Sequence, residues 1–320
     1  MSDRKLLLEQ DLDMIEAKID RLMAIVEAQQ EMIQKNARTI QMQEQKLEKT
    51  KKELGDFIEN VRYEVTDNKG FEQRYWYPKI MDHQLTMQQI VTQHKSYARF
   101  TETEFDMLIK YRAQSRRLQY FEESQDNIKL RERLLQGLKE ENDKLLVALP
   151  DFFGSLDQYE VRPKKAFRAY LTEERRISLM ELLPQHKNYH DAIMMHPNDY
   201  NPVKSGIATL DRYRMLTAIW AGKKVVVVAP QKSYITKQNR LFESVASMEE
   251  IEVPMMNALQ SYDRIFSQCN TYSKDVVFLV AAGPMGVALV IDLSRLGYQA
   301  IDVGTLGKHY IAYNEDMFYV

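Results

Sequence analysis

The chain has 320 residues, and its 44 Lys+Arg set against 46 Asp+Glu leave a formal charge of −2, so there is no basic field to hold a nucleic acid. A single cysteine, Cys269, excludes an intrachain disulfide and any zinc site built from cysteines. No apolar run approaches the length of a membrane span and residues 1–10 are charged rather than signal-like, so a soluble, cytoplasmic protein without a transmembrane segment is expected.

Residues 5–66 hold no proline and one glycine, Gly55. Leu12, Ile19, Val26, Ile33, Ile40, Leu47, Leu54 and Val61 recur at a seven-residue interval. A second position of the same register is apolar at Ile15, Leu22 and Phe57 but polar at Gln29, Asn36, Gln43 and Thr50. An a/d heptad pattern sustained for about eight repeats predicts a coiled-coil helix over 1–66 that associates with copies of itself. The other reading, a helix folded back on its own domain, fits a register this long less well. β-branched residues at a favour a dimer and polar d positions are compatible with a trimer, so the number of chains stays open.

Asp67-Asn68-Lys69-Gly70 is a turn signal that ends the rod, and Tyr75-Trp76-Tyr77-Pro78 opens the remainder. The predicted division is a helix over 1–66, a junction over 67–82 and an α/β domain over 83–320. Within that domain helical patterns alternate with short apolar runs at Lys144–Pro150, Ala192–Met195, Lys224–Ala229, Ile251–Pro254, Val276–Ala282 and Ala300–Val303. Runs apolar on consecutive positions predict strands covered on both faces, hence a Rossmann-like, mostly parallel sheet with helices on either side.

Val276 to Gly304 reads as one βαβ unit, with a Gly283-Pro284-Met285-Gly286 turn between the first strand and the helix. Such a turn either brings backbone N–H groups to a phosphate at the helix N-terminus or merely lets helix and strand pack closely. Asp302, about 20 residues after the turn, is placed to meet a ribose hydroxyl. A dinucleotide-dependent oxidoreductase is disfavoured, because that fold opens a half-domain with this unit whereas here the unit closes the sequence.

Four segments taken together, Ser96–Phe105 (SYARFTETEF), Lys144–Gly154 (KLLVALPDFFG), Leu241–Asp263 and the C-terminal βαβ unit, resemble the GT-D-fold glycosyltransferases, a family first met in bacterial clusters that glycosylate serine-rich adhesins. The resemblance covers roughly residues 80–313 and leaves the heptad rod outside. The family's hallmark, Arg-Phe-Gly-Asp-Gly-Glu-Phe, stands here as Arg99-Phe100-Thr101-Glu102-Thr103-Glu104-Phe105.

The resemblance implies a metal-assisted transfer of a sugar from a nucleotide diphosphate, a UDP-sugar, to a glycan or glycoprotein acceptor. It implies Glu102 and Glu104 as ligands of Mn²⁺ or Mg²⁺, and Arg99, Asn239, Asn257, Gly283, Pro284 and Gly304 around the donor. Asp302 and His309, with Glu315 as a further candidate, are left for the acceptor's proton. Departures from the family pattern include both glycines of the hallmark replaced by threonines and Thr305 where a histidine is expected. They keep a second expectation open, a catalytically inactive relative serving as an oligomeric scaffold or partner subunit.

Overall fold

The computed structural model describes residues 2–61, 76–110, 124–254 and 258–318. The chain divides into two compact units, Met1–Tyr63 and Glu64–Val320.

The first unit is one helix, α1 (Ser2–Val61). Its heptad side chains Ile15, Ile19, Leu22, Val26, Ile33, Ile40, Leu47 and Leu54 are 49–66% exposed. A helix this polar gains too little from burial within its own unit to be stable alone in water.

The second unit is built on an eight-stranded sheet. Its elements are β1 (Lys79–Met81), α2 (His83–Thr92), β2 (Ser96–Arg99), α3 (Glu102–Leu108), α4 (Gln125–Lys139), β3 (Leu145–Leu149), α5 (Val161–Tyr170), α6 (Glu173–Leu182) and β4 (Asn188–Asp191). Then follow α7 (Pro202–Ser205), α8 (Thr209–Thr217), β5 (Lys224–Ala229), β6 (Ser247–Glu252), α9 (Tyr262–Cys269), β7 (Val277–Val280), α10 (Gly283–Arg295), β8 (Gln299–Asp302) and α11 (Leu306–Phe318). The strand order is β1-β4-β3-β2-β8-β7-β5-β6, and every pairing in it is parallel. Among the described residues no helix is long and apolar enough to cross a membrane.

Alternation along the strands shows how both faces are covered. Tyr97, Leu146, Val225, Val227, Leu279 and Ile301 pack into one core with Met87 and Ile90 of α2, Tyr213 and Leu216 of α8, and Leu306 of α11. The intervening Ala98, Val147, Val226, Val228, Phe278 and Ala300 are equally buried on the opposite face. On that side α10 packs against β2, β8 and α4. Helix α10 is apolar nearly all round and buried from Pro284 to Ile291, as a helix sandwiched between a sheet and another helix must be. Gly137 of α4 lets the two helices meet, since a Cβ there would lie 2.3 Å from Ile291 Cδ1.

Two strand expectations need correction. Ala192–Met195 is not a strand: β4 ends at Asp191, and Ile193–Met195 is a turn of 3₁₀ helix. Asp191 Oδ1 accepts a hydrogen bond from Ile193 N at 2.8 Å, turning the chain out of the sheet, while the apolar side chains stay buried and imitate a strand. The strand expected at Ile251–Pro254 begins earlier, at Ser247, and ends at Glu252. It is an edge strand in which Ile251 is buried and Glu249, Glu250 and Glu252 are exposed, so it carries no apolar run. The other edge, β1, has no apolar run at all.

Strands β2 and β8 are neighbours in the sheet, with the chain leading to β3 on one side and coming from β7 on the other. That is a topological switch point, where open α/β sheets leave a crevice outside the carboxyl ends of their strands.

Candidate functional site

A cleft of about 710 Å³ occupies that crevice. Its walls come from strand ends and the segments after them: Arg99 closing β2, Thr101–Glu104 entering α3, His196 and Asp199 beyond β4, Pro230 after β5, Ala281–Gly283 after β7, Asp302 closing β8, and Gly304 and Thr305 after it. Arg162 of α5 and His309 of α11 complete it. Parallel strands deliver all their carboxyl ends to one edge, which is how residues far apart in sequence converge here.

Arg99 is buried at the centre. Its Nε lies 3.6 Å from Asp302 Oδ2, and its Nη1 donates to His196 Nε2 at 3.3 Å and to the Ala192 carbonyl at 3.5 Å. Among the described residues Nε has no hydrogen-bond acceptor. Asp302 Oδ1 accepts from Gly304 N at 3.0 Å. Burial raises the Asp302 carboxyl, with Arg99 opposing the shift. Asp302 thus lines the cleft and is paired there with Arg99. Gly304 has φ +48, and a Cβ on it would lie 1.9 Å from Arg99 Nη2, so the guanidinium occupies space that only glycine leaves.

The two glutamates of the hallmark part company. Glu104 Oε2 accepts from Thr101 N at 2.9 Å and from Thr101 Oγ1 at 2.8 Å, the reciprocal cap of α3. The threonine that replaces a family glycine thus serves as N-cap with an extended backbone, φ −114. Burial pushes the Glu104 carboxyl up to about 7. Glu102 lines the cleft, and among the described residues its carboxylate has no such cap to hold. Burial raises its carboxyl, with Asp106 and Asp199 adding to the effect. A half-buried carboxylate beside other acids favours any nearby cation. The residues therefore fit a divalent ion through Glu102, while Glu104 has one oxygen already engaged. The phenylalanines of the hallmark are structural: Phe100 and Phe105 are fully buried, and Phe105 packs on Phe152 at 6.4 Å.

Gly283, φ +59, begins α10 at the cleft, whereas Pro284 next to it is buried within the first turn and does not line the cleft. Asn239 lies elsewhere. Its Nδ2 donates to the carbonyls of Tyr234 and Gly307 and its Oδ1 accepts from Leu241 N, so it caps a turn behind α11 rather than shaping the donor pocket. Asn257 and the Glu315 side chain fall outside the described residues.

His309 stacks on His196 with ring centroids 4.4 Å apart, and burial with His196 nearby lowers it to about 4. His196 Nδ1 lies 3.5 Å from Asp199 Oδ2, and burial lowers the imidazole too. His196, Asp199 and Arg162 are cleft residues that pattern reading passed over. They sit in a turn and on an otherwise ordinary basic helix, without periodicity or spacing to mark them.

The family model for the GT-D glycosyltransferase fold matches residues 97–318. A "Probable glycosyl transferase Gly" from Streptococcus gordonii is 24% identical over 171 residues, 53% of this chain and 24% of that protein. "Glycosyltransferase GlyD" from Streptococcus pneumoniae is 25% identical over 99 residues, 31% of this chain and 12% of that protein. This chain thus spans about a quarter or less of the curated relatives it matches. A solved structure described as the highly conserved domain of unknown function 1792, with a distinct glycosyltransferase fold, is 26% identical with a TM-score of 0.63, covering 75% of this chain and 82% of its own. The order of the strands, the cleft at their switch point and this match over most of the chain agree: the protein belongs to the GT-D-fold glycosyltransferases.

Proposed function

We propose that the chain transfers a sugar from a nucleotide-diphosphate donor, a UDP-sugar, to a hydroxyl of a glycan or glycoprotein acceptor. The observation that carries this reading is the convergence of Arg99, the Gly283 end of α10 and Glu102 on one cleft. In the transfer the acceptor oxygen bonds to the anomeric carbon and its proton passes to solvent in the open cleft, while the carbon–oxygen bond to the diphosphate breaks and negative charge builds on the departing diphosphate. Arg99 can meet that charge in a bidentate contact, and the free N–H groups at the start of α10 add fixed partial positive charge. Asp302 holds Arg99 in place, and Gly304 leaves the room it needs. A divalent Mn²⁺ or Mg²⁺ held through Glu102 supplies Lewis-acid help to the leaving group. Helix α1 associates with copies of itself, gathering several clefts so that a repetitive acceptor meets them at raised effective concentration.

A screen of mass-tagged nucleotide sugars with Mn²⁺ and glycan acceptors tests the proposal. One donor class should be hydrolysed or transferred, and Glu102→Gln should lose that activity. A second reading, the inactive scaffold, draws on the occupied Glu104 and on Arg99 already paired with Asp302. Turnover of no donor, with α1 still assembling the chain, would favour it.

A further inference from the structure

We propose that His196, Asp199 and His309 form a binding site for a divalent transition ion, a second cation position in the cleft separate from Glu102. One donor atom from each lies within 4.8 Å of the other two. Two ligands bonded at about 2.1 Å to one tetrahedral ion stand about 3.4 Å apart. His196 Nδ1 and Asp199 Oδ2, at 3.5 Å, already have that separation. His309 needs only a side-chain adjustment from its stacked position at 4.4 Å to join them.

The donor set selects the class of ion. Two imidazoles and one carboxylate suit Zn²⁺ and neighbouring transition ions, whereas Mg²⁺ prefers oxygen ligands of the Glu102 kind. Three protein ligands on the wall of an open cleft leave at least one coordination position for an oxygen of a bound molecule.

The frame around the ligands is rigid. His196 and Asp199 flank Pro197 in a 3₁₀ turn, with Asp199 N bonded to the His196 carbonyl at 2.9 Å. His309 rides on α11, and Asn198 Nδ2 donates to its carbonyl at 3.0 Å, tying helix to turn. Tyr213 of α8 in turn donates to Asn198 Oδ1 at 3.0 Å. Outer contacts of this kind fix ligand orientation. Thr305 Oγ1 lies 3.3 Å from His196 Nε2 and is the partner that nitrogen needs once Nδ1 ligates. Ligation then also turns His196 Nε2 into a donor, which ends its role as acceptor for Arg99 Nη1. The ion thereby leaves Arg99 Nη1 with only the Ala192 carbonyl as acceptor. His309, read from the sequence as a candidate for the acceptor's proton, becomes a ligand.

The site shares its cleft with the proposed donor pocket, but ion binding by the chain alone does not depend on that reading. Calorimetric titration of the full chain with Zn²⁺ should show one ion bound per chain. His309→Ala and Asp199→Asn should each weaken it at least tenfold, and Glu102→Gln should leave it unchanged. X-ray absorption at the zinc edge of the wild-type complex should show two imidazole ligands, a readout that needs no variant to fold. Absence of binding, binding unaltered in both His309→Ala and Asp199→Asn, or a spectrum without imidazole would overturn the proposal. Loss of binding in Glu102→Gln would overturn it too, by moving the ion to the carboxylate.

Discussion

Gly304→Ala tests the packing around Arg99 most sharply. The backbone there has φ +48, and an L-residue in the left-handed region costs about 1–2 kcal/mol. The added Cβ would stand 1.9 Å from Arg99 Nη2 and 3.0 Å from Cζ, so the guanidinium must move. Moving it stretches the buried pair with Asp302, whose complete loss would cost about 3–5 kcal/mol. Because the cleft gives Arg99 somewhere to go, about half of that is the reasonable share, for a total of about 3 kcal/mol. At about 2–4 °C per kcal/mol for a domain of this size, Tm should fall by roughly 6–12 °C. The matched control is Gly222→Ala: φ is +69 there, but nothing lies within 4 Å of the new Cβ. It carries the backbone strain alone, about 1–2 kcal/mol or roughly 3–6 °C. Thermal unfolding followed by circular dichroism compares the two. If Gly304→Ala is no more destabilising than Gly222→Ala, the account of a guanidinium wedged against residue 304 is wrong.

Gly137→Val at the α4–α10 crossing drives a side chain into Ile291 and should cost about 1–3 kcal/mol, read as a lowered urea midpoint with an unchanged slope. Glu104 binds its proton more tightly folded, at about 7, than at its ordinary 4.5, so protonation favours the fold. Wild type should therefore gain stability relative to Glu104→Gln as pH falls from 8 to 5, and a difference in unfolding midpoint that ignores pH would contradict the burial of that carboxyl. Ile33→Asp at a heptad a position should shift the full chain toward monomer in sedimentation velocity, without changing the Tm of the α/β unit.

Much of the sheet was legible because parallel strands buried on both faces must be apolar throughout: KVVVVA coincides with β5, and LLVAL with β3. The edges were not. Strand β6 carries Glu249 and Glu250 because an edge strand faces water, and β1 is three residues long. The 193–195 turn misled for the opposite reason, being buried without belonging to the sheet.

At the site, Arg99, Glu102, Gly283, Asp302 and Gly304 could be read from a motif at a strand end, since the end of a parallel strand fixes where the next residues point. Glu104 could not be assigned that way, because one oxygen serves either a cap or an ion and the choice depends on the conformation of Thr101. His196 and Asp199 were hidden by the same logic. Their partner His309 is more than a hundred residues away, and only the folded sheet brings α11 against that turn.

The central claim, that the cleft between β2 and β8 holds a nucleotide diphosphate beside Glu102, is tested most directly by thermal unfolding with Mn²⁺ and UDP. Ligand at about 100 times its Kd stabilises by about 2.7 kcal/mol, so wild type should gain roughly 5–10 °C. Glu102→Gln should lose most of that gain while keeping the Tm of the unliganded chain. No gain with UDP or any other nucleoside diphosphate, or an equal gain in Glu102→Gln, would contradict the account.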